Sequence, residues 1–206
     1  MKKSVGSILM FVVFTTVLQA QTSKGSTVIG GGLQFQIESD QDYFDFEAEV
    51  KSTYFSLLPS VGYFAANNFA VGLNAGYSSS KSEYITLGYT GITKSSTFVI
   101  GPFARYYMKT SNESFFVYGQ VSALFGSGKE IDDDDIETKT NSMDIALSPG
   151  LAYFFNEHWS VELGFRGIAY NKYDPDKDAD DNESSTFEIG LNSLMPSTLG
   201  FRYYFK

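Results

Sequence analysis

Four prolines of this chain are each followed, four or five residues on, by the start of an aromatic cluster. Pro59 precedes Tyr63-Phe64, Pro102 precedes Tyr106-Tyr107, Pro149 precedes Tyr153-Phe154, and Pro196 precedes Phe201 and then Tyr203-Tyr204-Phe205. These prolines are 43, 47 and 47 residues apart. A repeat of that length marks one supersecondary unit copied four times. Each unit holds two runs in which apolar and polar residues alternate, the signature of a strand with two different faces. Ile29, Leu33, Phe35 and Ile37 oppose Val28, Gly30, Gly32, Gln34 and Gln36; Phe115, Val117, Val121, Ala123 and Phe125 oppose Tyr118, Gln120 and Ser122. Trp159, Val161, Leu163 and Phe165 oppose Ser160, Glu162, Gly164 and Arg166. The reading is eight strands arranged as four hairpins, all-β and antiparallel. They are expected over 27–37, 54–65, 69–79, 97–108, 115–125, 142–155, 159–166 and 187–205.

Composition says which solvent these strands face. Aromatic residues make up 17% of the 206-residue chain within a hydrophobic total of 43%. After residue 21 no stretch is apolar enough for a membrane-crossing helix. High aromatic content without apolar runs fits strands of which only alternate residues meet lipid, as in a transmembrane β-barrel. About ten alternating residues per segment is the length a tilted spanning strand needs. Connections also alternate in length. The expected turns at 66–68, 109–114 and 156–158 are short, whereas 38–53, 80–96, 126–141 and 171–185 read as long polar loops. Such asymmetry places the short turns on the periplasmic rim and the long loops outside the cell. A propeller blade would need four short strands per repeat. A soluble lipocalin-like barrel would need an apolar interior and a polar exterior, the inverse of the second half of this chain.

Residues 1–20 read as a secretory signal peptide: Lys2 and Lys3, an apolar run from Val5 to Leu18, and a small-residue site at Ala20. The domain is then 21–206, a mature chain of 186 residues carrying 13 basic and 24 acidic residues, net −11. That charge excludes a nucleic-acid partner. There is no cysteine, so no disulfide or cysteine-linked lipid is expected.

The chain resembles the small eight-stranded outer-membrane β-barrels, the OmpA transmembrane domain and OmpX type, grouped as the outer membrane protein β-barrel domain family. The resemblance rests on the leader, the four hairpins, the loop asymmetry and the ending Thr198-Leu-Gly200-Phe-Arg-Tyr203-Tyr-Phe205. It implies an eight-stranded up-and-down barrel in the outer membrane of a Gram-negative bacterium, among outer-membrane lipid and lipopolysaccharide. It also implies that Gly200, Tyr203 and Phe205 form the assembly signal read by the barrel-assembly machinery, although Lys206 follows the usual terminal Phe.

Several side chains are candidates for function. Tyr63, Phe69, Tyr106, Phe115, Tyr153, Trp159 and Tyr203 cluster at the short turns and read as the periplasmic aromatic girdle, where amphipathic rings sit at head-group level. Arg105, Asp144, Glu162, Arg166, Glu188 and Arg202 fall on the inward face and read as a lumen charge network, a salt-bridged plug or a narrow ion path. Glu162 and Glu188 as a glycosidase pair are set aside, because no sugar could enter so narrow a lumen. Asp174, Asp176, Asp178 and Asp180 space carboxylates like the start of a calcium loop, but Ala179 replaces its glycine and Ser185 its closing glutamate. With Asp132–Asp135 they read first as solvated acidic loops. The single histidine, His158, lies in a short turn. Related barrel enzymes imply a histidine site on the other rim, so no catalytic residue and no cofactor is assigned. Gly30–Gly32 and Gly126-Ser-Gly128-Lys129 lack the context of a phosphate loop. The expected role is a monomeric, non-enzymatic barrel whose acidic extracellular loops serve structure or adhesion to a host or cell-surface ligand. A narrow porin for ions or small solutes is the alternative, and a lipid-modifying enzyme is disfavoured.

Overall fold

A computed structural model describes residues 22–42, 48–86, 88–179, 183–189 and 196–205, with backbone alone at 40–42 and 48. The expected leader at 1–20 lies outside these residues. Every regular element described is a strand: β1 (Thr27–Asp42), β2 (Ala48–Ala66), β3 (Phe69–Thr86), β4 (Tyr89–Lys109), β5 (Phe115–Ile131), β6 (Glu137–Phe154), β7 (Trp159–Gly164), β8 (Ile168–Asp174), β9 (Ser184–Ile189) and β10 (Thr198–Phe205). All pairings are antiparallel between chain neighbours, and β1 pairs with β10, so the sheet closes. The ten elements form a ring of eight, because β7 and β8 are two parts of one strand beside β6, and β9 and β10 two parts of the last. Closure removes both sheet edges, the condition for crossing hydrocarbon with every backbone group paired.

The outer surface is apolar. Ile29, Leu33, Phe35, Leu57, Leu73, Phe98, Ile100, Phe125, Leu147 and Phe201 are all exposed, while Arg105, Glu162, Arg202, Asn74 and Ser122 are buried inside. This is the reverse of a soluble protein and rejects the lipocalin-like arrangement.

Three findings refine the expectations. The strands run well past their predicted ends. β3 reaches Thr86 and β4 starts at Tyr89, so nearly all of the segment read as the loop 80–96 is paired strand, with Gly88 between the two strands at φ 105°. Likewise most of 38–53 and 126–141, and part of 171–185, is paired strand. Alternating hydrophobicity stops where strands leave lipid, but pairing does not, since Thr, Tyr and Ile still favour extended chain.

The second concerns the prolines, at some of which a bulge or slip is expected, and at Pro149 one is found. At Pro59 and Pro102 the ladder to one neighbour skips two positions: Leu57 opposite Tyr77 resumes as Ser60 opposite Asn74, and Ile100 opposite Phe125 as Phe103 opposite Ser122, with register kept. At Pro149 the register shifts. Gly150 faces Gly164, yet Leu147 faces Ile168, so the seventh strand carries one extra residue, a bulge. The Phe165 amide donates to the Pro149 carbonyl at 2.9 Å. A further shift, which the prolines do not explain, lies between Phe64 and Ala66.

The third follows from the bulge. Inward side chains pass from even positions in β7 (Ser160, Glu162) to odd ones in β8 (Ala169, Asn171), and Ile168 and Tyr170 turn outward.

Candidate functional site in the barrel lumen

Neighbouring residues of a strand point to opposite faces. Each aromatic pair of the repeat therefore divides. Tyr63, Tyr106 and Tyr153 face outward and Tyr203 is half-buried, whereas Phe64, Tyr107, Phe154 and Tyr204 are at most 1% exposed. The inward four, with Phe116, make a closed circuit of ring contacts. Phe64 meets Tyr107 at 5.8 Å, Tyr107 meets Phe116 at 6.5 Å, and Phe116 meets Phe154 at 5.0 Å. Phe154 meets Tyr204 at 5.0 Å, and Tyr204 returns to Phe64 at 6.2 Å. Val28, Ala70 and Ala152 fill the gaps. These separations and tilts are those of favourable aromatic pairs. The lumen thus has a solid floor at the short-turn end. Beneath it the chain 22–26 is tied to the turns: Phe64 N donates to Ser26 O at 2.9 Å and Asn68 N to Thr22 O at 2.7 Å.

Directly on the floor lies a charged cluster. Glu162 Oε2 accepts from Arg105 Nη1 at 2.6 Å and from Arg202 Nε at 2.7 Å. Its Oε1 accepts from the Tyr204 and Tyr107 hydroxyls at 3.3 and 3.4 Å. Arg105 also donates to Gln120 Oε1 through Nε and Nη2, at 2.9 and 2.6 Å, and its guanidinium stands 4.0 Å from the Tyr118 ring centre. Arg202 Nη1 donates to Ser60 Oγ at 2.8 Å. All three ions are at most 6% exposed. Two cations share one carboxylate, so the cluster carries +1 and relies on tyrosine, serine and amide dipoles to balance it. Glycine makes room for it: a Cβ on Gly150 would run into the Tyr118 ring.

Above the cluster opens a polar cavity of about 500 Å³, lined by residues such as Gln34, Tyr54, Asn74, Ser122 and Ser142. Asn74 is buried and its Nδ2 has no partner among the described residues; the cavity it lines is its route to water. Near the mouth, Arg166 donates to Asp144 at 2.8 Å and to Glu188 at 2.9 Å. Arg166 and Glu188 are 42% and 38% exposed. The six charged residues singled out in the sequence therefore separate into two triads, one dry and one wet.

The other candidates are placed as follows. Tyr63, Phe69, Tyr106, Phe115, Tyr153, Trp159 and Tyr203 follow one another around the short-turn rim, with Phe69 opposite Tyr106, Phe115 opposite Tyr153, and Trp159 opposite Tyr203. Tyr203 packs on Trp159 at 4.8 Å and on Phe205 at 4.6 Å. Gly200, Tyr203 and Phe205 sit in β10, the strand that closes onto β1. His158 stacks on Tyr203, and its Nδ1 lies 2.9 Å from the Tyr204 carbonyl, an anchor for the last strand. Asp174 Oδ1 accepts from Asp176 N and Asp176 Oδ1 from Asp178 N, at 3.2 and 3.1 Å. These carboxylates cap turns; Asp180 lies outside the described residues. Among the described residues no group of three or more His, Cys, Asp or Glu side chains converges to hold a metal ion. Asp132 Oδ1 similarly caps the amides of Asp134 and Ile136.

The aromatic floor is what the sequence reading missed, by placing one member of each pair on the girdle and giving Phe64, Tyr107, Phe154 and Tyr204 no role. The signal was available, since adjacent aromatics in a strand must part.

A family model described as an outer membrane protein beta-barrel domain matches residues 7–193. No curated protein sequence matches. Among solved structures, the outer membrane protein OprG of Pseudomonas aeruginosa is 17% identical over 89% of this chain and 97% of its own, with a TM-score of 0.49. Neisserial surface protein A is 16% identical over 88% and 98%, at 0.47. Ail, the attachment invasion locus protein of Yersinia pestis, is 17% identical over 88% and 99%, at 0.37.

Proposed function

Because this chain belongs to the outer membrane protein beta-barrel domain family and sits in the Gram-negative outer membrane, we propose that it is a closed, non-enzymatic scaffold whose extracellular hairpins make its contacts. The observation that carries this is the aromatic floor with the buried Arg105–Glu162–Arg202 cluster, which together fill the lumen at the periplasmic end. Solute transfer would require both to move. What remains for function is the far rim, where β2–β5 rise as long hairpins and Asp133, Asp134, Asp135 and Asp178 stand in solvent at the acidic tips. A rigid frame that presents variable tips is a common way to support recognition. The net charge of the mature domain makes a cationic protein or matrix surface the natural partner class for those tips. The barrel is taken as a monomer exported by the leader at 1–20, with Gly200, Tyr203 and Phe205 serving the assembly machinery.

The test is conductance of the refolded protein across a planar bilayer. The unaltered barrel is expected to give no steady steps, and Phe154→Ala combined with Tyr204→Ala, which opens the floor and also removes a hydroxyl that holds Glu162, to give small ones. Steady steps from the unaltered barrel would favour the narrow channel, for which the cavity of about 500 Å³ is the supporting observation.

A further inference from the structure

On five adjacent strands the outward face repeats one sequence just beyond the apolar band. Reading away from the membrane, a large apolar residue is followed by a small polar one and then by lysine. The sets are Phe55, Thr53, Lys51 on β2; Tyr77, Ser79, Lys81 on β3; and Phe98, Ser96, Lys94 on β4. Phe125, Ser127, Lys129 on β5 and Met143, Asn141, Lys139 on β6 complete them. Lys172 on β8 continues the arc beyond Tyr170.

These lysines lie at one height. Lys51 and Tyr63, Lys81 and Phe69, and Lys94 and Tyr106 are each 12 residues apart along their strands. Lys129 and Phe115, and Lys139 and Tyr153, are 14 apart, and Lys172 and Trp159 are 13 apart across the bulge. At about 3.3 Å per residue and a tilt of about 40°, those separations put the lysines about 30–35 Å above the aromatic girdle. The hydrocarbon core is about 30 Å thick, so the row stands where the head groups of the outer leaflet begin.

The register is costly for an isolated protein. Lys81 is directly opposite Lys94, and Lys129 directly opposite Lys139. Like charges facing across a ladder repel. Glu49, Glu83, Glu137 and Glu183 lie near the row and pair with Lys51, Lys81, Lys129 and Lys172, but such exposed pairs are weak. This belt belongs to a chain whose overall charge is −9, so chance enrichment in lysine does not account for it.

We infer that the six lysines form a cationic collar that binds the phosphate groups of lipopolysaccharide in the outer leaflet. This rests on the barrel's place in the outer membrane and is independent of whether its lumen is closed. Phosphate on neighbouring lipids would sit between facing lysines and cancel their repulsion, fixing depth and ordering a lipid annulus on the β2–β6 side. At the same level β1 and β9 offer Ser39 and Ser185, directly opposite Lys51 and Lys172, so the collar is open on the side where the ring closes.

Native mass spectrometry of the refolded full chain with lipid A, and with lipid A stripped of both phosphates, tests this. The unaltered barrel is expected to retain the phosphorylated form in preference by roughly tenfold or more, and to lose the preference in high salt. K81Q/K94Q/K129Q/K139Q is expected to abolish it, the four arginine replacements to keep it, and Lys24→Gln with Lys109→Gln on the other rim to leave it unchanged. Folding is read separately from the heat-dependent gel shift; if the quadruple variant does not fold, K94Q/K139Q takes its place. Equal retention of the two lipids, or a preference that survives the glutamine variant, would overturn the collar. Conductance steps would instead overturn the closed lumen and leave the collar standing.

Discussion

The two halves of the lumen hold charged triads of opposite make-up. The lower has two arginines around one glutamate, closed off by aromatic rings; the upper has one arginine between Asp144 and Glu188, open to the cavity mouth. Their ionic hydrogen bonds have nearly the same lengths, 2.6–2.7 Å below and 2.8–2.9 Å above. Length therefore does not distinguish them, and solvent does. Below, each ion has given up its water and depends on protein partners, so removal of one strands the others. Above, water can replace any missing partner.

The sharpest way to break this comparison is Glu162→Gln, which leaves Arg105 and Arg202 buried without a carboxylate. We expect a loss of roughly 3–5 kcal/mol, read as a large fall in the urea midpoint of the gel-shift transition. A fall no greater than that for the upper triad would mean that water reaches the floor. Arg166→Met in the upper triad is expected to cost about 0–1 kcal/mol in the same assay. The smallest effect lies at the tips. The Tyr89 hydroxyl donates to Asp133, and that hydrogen bond raises its pKa above the ordinary tyrosine value of 10. A group whose folded pKa is raised stabilises fully below its unfolded value and loses that contribution as pH climbs through the folded one. The link between the β3–β4 and β5–β6 tips should thus be intact at neutral pH and open only above about pH 10. Tyr89→Phe should remove this alkaline step from tyrosine absorbance; a step in the neutral range would contradict the assignment.

The architecture was legible because lipid imposes alternation, and alternation survives in one sequence without relatives. Phe98, Ile100 and Tyr106 could be placed outward and Arg105 inward from parity alone. The same signal failed in two places for physical reasons. Beyond the bilayer both faces of β2–β6 meet water, so Lys81 and Lys129 read as loop although they are paired strand. At residues 165–168 one inserted residue reverses parity, which no count along the chain reveals without the partner strand. The lumen charges stood out because an arginine or glutamate between apolar positions has only the interior to occupy. How they would group was hidden, since the grouping depends on depth, and depth depends on the stagger of strands far apart in sequence.

Thr27 of β1 lies opposite Phe205 of β10, so the ring is sealed by residues from the two ends of the described chain. Every other pairing joins neighbours in order and can form locally, but this one has to wait for the last strand to be synthesised. Until then two full strand edges would meet hydrocarbon with their amides unpaired, at several kcal/mol for each group. A chain shortened by even its final strand has no partial version of the barrel to fall back on. Insertion should therefore be a single event late in biogenesis, slow for so small a domain because its decisive contact spans nearly the greatest possible sequence separation.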